Sequence, residues 1–208
     1  MSKKKHDLPG IAHDLNNVFQ TLIGVAAQLE HDPELAAAIF RSVERGQNIV
    51  AGLQQRGSAV TSFDAVLANA IAFLDDFRIA SNGPPVAIVS QADPGIVLPG
   101  HWDWERVFVN LFLNSVRAMP EGGTIHVTAV YTIGGVKISV ADEGTGIAPE
   151  LLGRLFEPHV SGNASTGLGL SIVESIVHDN GGTVQAHNRA RGAEFVIHIP
   201  APKRAATA

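Results

Sequence analysis

Val136-Lys137-Ile138-Ser139-Val140-Ala141-Asp142-Glu143-Gly144-Thr145-Gly146 is the stretch that decides the fold. Its first half alternates apolar and polar side chains and is rich in β-branched residues, which predicts a strand. A strand that runs straight into Asp-Glu-Gly-Thr-Gly places Asp142 at its carboxyl end with glycines just behind it. There the backbone can approach a flat ligand closely, and the carboxylate can accept a hydrogen bond from an amine such as the exocyclic amine of adenine. A calcium loop would need further carboxylates at alternating positions.

Working outward, residues 124 to about 132 read as a second strand that turns at Gly134-Gly135 into the first, a hairpin. Upstream lie strand-like Ile96-Val97-Leu98 and Val86-Ala87-Ile88-Val89, and before them a helix to about Ala80, capped by Thr61 or Ser62. A further helix spans about 103 to 119. On it Asn110 and Asn114 stand four residues apart on one face, with Arg117 a turn further along. Amide oxygens there can coordinate Mg²⁺ while the guanidinium meets phosphate. Downstream, Thr166-Gly167-Leu168-Gly169-Leu170 leads into a helix from about 168 to 179, an arrangement in which backbone amides and the positive helix end meet phosphate. That helix stops at Asn180-Gly181-Gly182, and two closing strands are centred on Val184 and on Phe195-Val196-Ile197. The pattern predicts an α/β sandwich over 59–202, with 203–208 as a tail.

The first segment, 1–58, has another period. Leu8, Ile11, Leu15, Val18, Leu22, Val25 and Leu29 alternate steps of three and four residues, a coiled-coil seam on a helix from about 8 to 30. Leu35, Ile39, Val43, Val50 and Leu53 predict a second helix from about 34 to 56, stopped by Gly57-Ser58. One such hairpin cannot bury both stripes, whereas two make a four-helix bundle, so a homodimer is expected. His13 takes the outward f position of the heptad, and Asn17 lies one turn later on the same side. Asp14 is a carboxylate that can hydrogen-bond the imidazole and take a proton. The whole is an α+β chain.

Composition narrows the function classes. Of the 208 residues 45% are hydrophobic and 17% charged, enough to bury a core in one or two domains. A formal net charge of −5 offers no broad cationic surface, which argues against nucleic acid as a partner. With no cysteine, thiolate nucleophiles and disulfides are excluded. The basic start Lys3-Lys4-Lys5 is followed by polar residues rather than an export signal's apolar stretch, and no run approaches the roughly 20 apolar residues of a membrane span. A cytoplasmic protein without a membrane partner is expected.

In their order and spacing these motifs closely resemble the two-domain core of bacterial sensor histidine kinases, over about residues 8 to 200. His13-Asp14-Leu15-Asn16-Asn17 is similar to the family's phosphoacceptor box and Asn110 to Asn114 to its asparagine box. Asp142 to Gly146 is similar to its first glycine box, Phe156-Glu157-Pro158 to its phenylalanine box, and Gly167 to Leu170 to its second glycine box. The resemblance implies a dimeric hairpin followed by a Bergerat-type ATPase sandwich shared with gyrase-type and Hsp90-type ATPases, with 157–166 as a lid. It implies ATP and Mg²⁺ as cofactors, His13 as nucleophile, Asp14 as base, Asn114 as metal ligand and Asp142 as the reader of adenine. Asn110, Arg117, Gly144, Gly146, Thr166, Gly167, Leu168 and Gly169 complete the expected nucleotide site. The implied partner is the receiver domain of a response regulator, and Asn17 matches the position that orients a water for its dephosphorylation.

The sequence also departs from the family. Only 12 residues precede His13, Pro9-Gly10 among them, so input from a sensory protein in trans is expected. The lid segment 159–165 has no lysine or arginine, and Arg117 is the residue available to compensate. Two other readings stand beside the kinase: a non-catalytic dimeric histidine phosphotransferase of a phosphorelay, and a serine-kinase or anti-sigma-type binding protein on the same sandwich. Intact asparagine and glycine boxes argue against the first, and the hairpin bearing His13 against the second.

Overall fold

A computed structural model describes residues 15, 17–19, 21–23, 32–54, 60–99, 103–158, 160 and 169–201. His13, Asp14, Thr166, Gly167 and Leu168 lie outside the described residues, as does most of the helix expected over 8–30. The chain divides into two compact units, Met1–Ser58 with Ala72–Gly83, and Ala59–Ile71 with Pro84–Ala208.

In the first unit residues 15, 17–19 and 21–23 are helical, and a second helix, α1, spans Pro33–Gln54. Asp32 starts α1 by accepting the Leu35 N–H on Oδ1 at 3.0 Å, with Glu34 in the positive first turn. Within the chain the earlier helical residues meet α1 through Phe19, whose ring lies against Gly46. The expected seam residues Leu15, Val18 and Leu22 are exposed within the single chain, by 38%, 54% and 42%. Helix α2, Phe63–Ser81, supplies Asp76 to this unit, where the carboxylate pairs with Arg41 of α1 at 2.6–2.7 Å.

In the second unit Thr61 and Ser62 lie in a short strand, β1, Val60–Ser62, and Ser62 stands immediately before α2, at the expected cap position. The strand's backbone pairs antiparallel with β3, Val97–Pro99, and the Phe63 N–H then donates to the Ile96 carbonyl as α2 begins. The remaining strands are β2 Val86–Ala92, β4 Gly123–Thr132, β5 Gly135–Asp142, β6 Thr183–Asn188 and β7 Ala193–Pro200. They form one mixed sheet ordered β2-β4-β5-β7-β6, parallel only between β2 and β4. The helices are α3 Asp103–Ala118, a short α4 Pro149–Leu152 and α5 Gly169–Asp179.

Alternation on β4 and β5 sends Ile125, Val127, Ala129, Ile138 and Val140 to the buried face, where all are at most 1% exposed. Trp104, Val107, Phe108, Leu111 and Phe112 of α3 and Val173 and Val177 of α5 fill the other side of that core. Phe63 meets Phe108 edge to face, with ring centres 5.7 Å apart. Each of these large side chains contributes roughly 1.5–3 kcal/mol by leaving water, so the core fixes α3 and α5 against the sheet. The architecture is the α+β sandwich expected from the sequence, with a mixed sheet.

Candidate functional site

Asp142 ends β5 on the buried face of the sheet and is only 3% exposed. A carboxylate there needs partners, and the fold supplies three. Its Oδ1 accepts from the Gly144 N–H at 2.9 Å and the Ala193 N–H at 3.2 Å, and its Oδ2 accepts from the Ser115 hydroxyl at 3.3 Å. The carboxylate is thereby held in one orientation, with acceptor capacity left on Oδ2 for an amine.

The glycine turn behind it is tied to α3. The Thr145 N–H donates to the Ala118 carbonyl at 3.1 Å, and a Cβ at Gly144 would stand 2.7 Å from that same oxygen. Glu143 reaches back to accept the Thr124 N–H at 3.2 Å. On the other side the turn joining β6 and β7 closes on the same backbone. Gly192, at φ +75°, lies where any Cβ would collide with the Asp142 carbonyl, and the Arg191 Nε donates to the Glu143 carbonyl at 3.1 Å.

The helical spacing read from sequence places Asn110, Asn114 and Arg117 along α3. Asn110 donates to the Arg106 carbonyl at 2.8 Å and points its oxygen at Gly169, the first residue of α5. Asn114 accepts from Arg117 on Oδ1 at 3.3 Å, while its Nδ2 is buried with no partner among the described residues. An orphaned donor beside a guanidinium fits an oxygen-rich ligand such as phosphate, which would satisfy both. No group of three or more His, Asp or Glu among the described residues could hold a metal by itself. A Mg²⁺ ion fits this site on one protein oxygen, that of Asn114, with the remainder drawn from phosphates and water, the manner in which Mg²⁺ is commonly bound.

The fold therefore brings Asn110, Asn114, Arg117, Asp142, Gly144, Gly146 and Gly169 into one unit. Asn17 belongs to the other, where it is helical and exposed. Sequence reading missed Ser115, Asn188, Arg191 and Ala193. For Ser115 a signal existed, because a serine inside an otherwise apolar helix face needs a polar partner. A recess of about 490 Å³ lined by His126, Thr128, Ser139, Arg189 and Glu194 also reaches Asp142, Glu143 and Arg191, and among the described residues α3 contributes nothing to its lining.

The chain is similar to known proteins in sequence and in fold. Residues 103–203 match the family of histidine kinase-, DNA gyrase B- and HSP90-like ATPases. The sensor histidine kinase ZraS of Escherichia coli O157:H7 is 29% identical over 94% of this chain and 46% of its own length. The sensory histidine kinase/phosphatase NtrB of Klebsiella oxytoca is 33% identical over 93% of this chain and 61% of its own length. The chain thus spans about half the length of the curated relatives it matches. Among solved structures, the catalytic domain of histidine kinase ThkA superimposes with a TM-score of 0.61 at 25% identity, over 70% of this chain and 98% of that one. Full-length ShkA in complex with AMPPNP shares the fold, with a TM-score of 0.59 at 24% identity over 96% of this chain and 48% of that one.

Proposed function

We propose that this chain, whose residues 103–203 match the family of histidine kinase-, DNA gyrase B- and HSP90-like ATPases, is an ATP-dependent protein-histidine kinase that phosphorylates His13 and passes the phosphoryl group to an aspartate of a response regulator. The observation that carries this reading is the buried Asp142 carboxylate, locked by Ser115, Gly144 and Ala193 with acceptor capacity left over. Its three partners already give the carboxylate a structural use, and the acceptor capacity left over is what adenine recognition needs.

In this reading Asp142 accepts from the exocyclic amine of adenine, and the glycines at 144 and 146 leave room for the base. Asn110, Asn114, Arg117 and the segment Thr166-Gly167-Leu168-Gly169 hold the phosphates. Mg²⁺ bound through Asn114 would neutralise charge on the bridged phosphate oxygens. An imidazole nitrogen of His13 attacks the γ-phosphorus, the bond to the bridging oxygen breaks, and ADP leaves while Asp14 takes the imidazole proton. In the second step the phosphoryl moves from His13 to a carboxylate oxygen of the regulator. Asn17 holds a water that attacks the regulator's phosphoaspartate, so that the acyl phosphate bond breaks to carboxylate and inorganic phosphate; the relative NtrB is named a kinase/phosphatase.

The exposure of Leu15, Val18 and Leu22 supports a homodimer, since a second copy is the simplest cover for an apolar seam of this period. Among the described residues no helix is long and apolar enough to cross a membrane.

Incubation with γ-labelled ATP and Mg²⁺ tests it. Acid-labile, base-stable label is expected on the wild type, none on His13→Ala, and full label on Asn17→Ala with slower loss of phosphate from a cognate regulator. Label that persists on His13→Ala would place the phosphoacceptor elsewhere.

A further inference from the structure

Asn188, the last residue of β6, faces the chain just beyond the glycine turn. Its Oδ1 accepts the Ile147 N–H at 2.7 Å and its Nδ2 donates to the Ile147 carbonyl at 2.7 Å. One side-chain amide thus takes both backbone groups of a single residue, as a neighbouring strand would. The approach is possible because the adjoining residue is Gly146, at φ +77°, where a Cβ would stand 2.9 Å from Asn188 Oδ1. The geometry is specific to Asn. Asp lacks the donor, and Ser cannot span both groups.

We propose that Asn188 is a positioning residue of the nucleotide site, clamping Ile147 so that the turn from Asp142 to Gly146 keeps the shape that receives the base. The turn's other ties are Thr145 to Ala118, Arg191 and Thr124 to Glu143, and the Ser115 hydroxyl and the Gly144 and Ala193 N–H groups to the Asp142 carboxylate. All of them act before Gly146. Asn188 alone among these groups holds the far end, where the chain leaves for α4 and the segment beyond it. Without the clamp, the chain beyond Gly146 loses this tie to the sheet, and a glycine with φ positive is the point at which the turn would rotate open.

The inference rests on reading Asp142 as the adenine acceptor. It has a signature that distinguishes it from a general loss of stability or an effect on the phosphate end. A clamp on the base turn weakens adenosine, ADP and ATP by the same factor, because all three share the base and only two carry phosphate.

The test is calorimetry with adenosine, ADP and ATP on the full chain, wild type against Asn188→Ala and Asn188→Asp, together with amide exchange of Ile147 in the nucleotide-free wild type. The Ile147 amide is expected to be protected. Both variants should bind all three ligands about tenfold more weakly, the weight of one to two net hydrogen bonds. In the Asn188→Asp variant the carboxylate also faces the Ile147 carbonyl, so that variant should be no better than Asn188→Ala. Adenosine binding within twofold of wild type in Asn188→Ala would overturn the clamp, as would a loss confined to ATP. Should neither variant fold, a freely exchanging Ile147 amide in the wild type overturns it and a protected one supports it. A wild type that binds no adenine ligand refutes the nucleotide site itself, a different failure.

Discussion

The backbone of Gly169 sits against the side chain of Asn110, so close that a Cβ added at 169 would stand 2.8 Å from Asn110 Oδ1. This contact fixes where α5 begins relative to α3. It joins two motifs that are 59 positions apart in the chain.

Gly169→Ala should therefore destabilise the ATPase unit by about 1–3 kcal/mol, the range for a methyl forced into packed surroundings, although alanine is the better helix former. Truncating the obstacle should relieve it. In the double variant with Asn110→Ala the cost of Gly169→Ala should fall by more than half, measured by denaturant unfolding of all four proteins. Additive costs would mean that the contact does not limit the site.

Asp142→Asn keeps the size of the buried side chain and removes its charge and one acceptor. The Gly144, Ala193 and Ser115 donors then compete for a single amide oxygen. Nucleotide binding should weaken at least tenfold by calorimetry and stability should drop by about 1–3 kcal/mol, the cost of an unsatisfied buried group. Unchanged ATP affinity would remove Asp142 from the adenine role.

Leu22 is 42% exposed on the helical segment whose Phe19 already packs within the chain. If a second copy covers it, Leu22→Asp buries a charge in an apolar seam and should give a monomer by light scattering at micromolar concentration. A wild type that is itself monomeric under those conditions would end the dimer proposal.

Glu194 of β7 accepts from the Ser139 hydroxyl and meets His187 Nε2 at 2.9 Å. Burial pushes its carboxyl up, but the hydrogen bonds from Ser139 and His187, with the charges of His187 and Arg189, outweigh this and hold it below its ordinary 4.5. A folded-state value below the unfolded one means that the ionised carboxylate contributes stability above the unfolded value. That contribution is lost as pH falls through the lowered folded value. The gap in unfolding free energy between wild type and Glu194→Gln should be widest above pH 4.5 and close below it. A gap that stays constant from about pH 6 down to about pH 3 would show that the carboxylate gains nothing from these partners.

Much of the ATPase unit was legible along the chain because its signals are local. The alternation from Val136 to Val140 predicts a strand whatever surrounds it, and that strand is found as part of β5. The four-residue spacing of Asn110 and Asn114 sets them on one side of a helix before any tertiary contact forms, and Asn180-Gly181-Gly182 ends α5 for conformational reasons of its own. The strand β1 was not legible, because Thr61 and Ser62 pair with Leu98 and Val97, partners more than thirty positions away that no local pattern announces.

What the sequence determined by itself was each element's type and the phase of its side chains, since periodicity and turn chemistry act over a few residues. It placed Asp142 at a strand end and Asn110, Asn114 and Arg117 on one helix. Only the tertiary structure decided what those residues touch. Ser115 reaches Asp142 across 27 positions, Asn188 reaches Ile147 across 41, and Ala193 reaches Asp142 across 51. Each depends on the register of β5 against β7 and of β6 against β7, and on α3 lying over the sheet. A one-residue slip in either pairing would turn these side chains to the other face, and nothing within a few residues of Asn188 or Ser115 records which register the core will select.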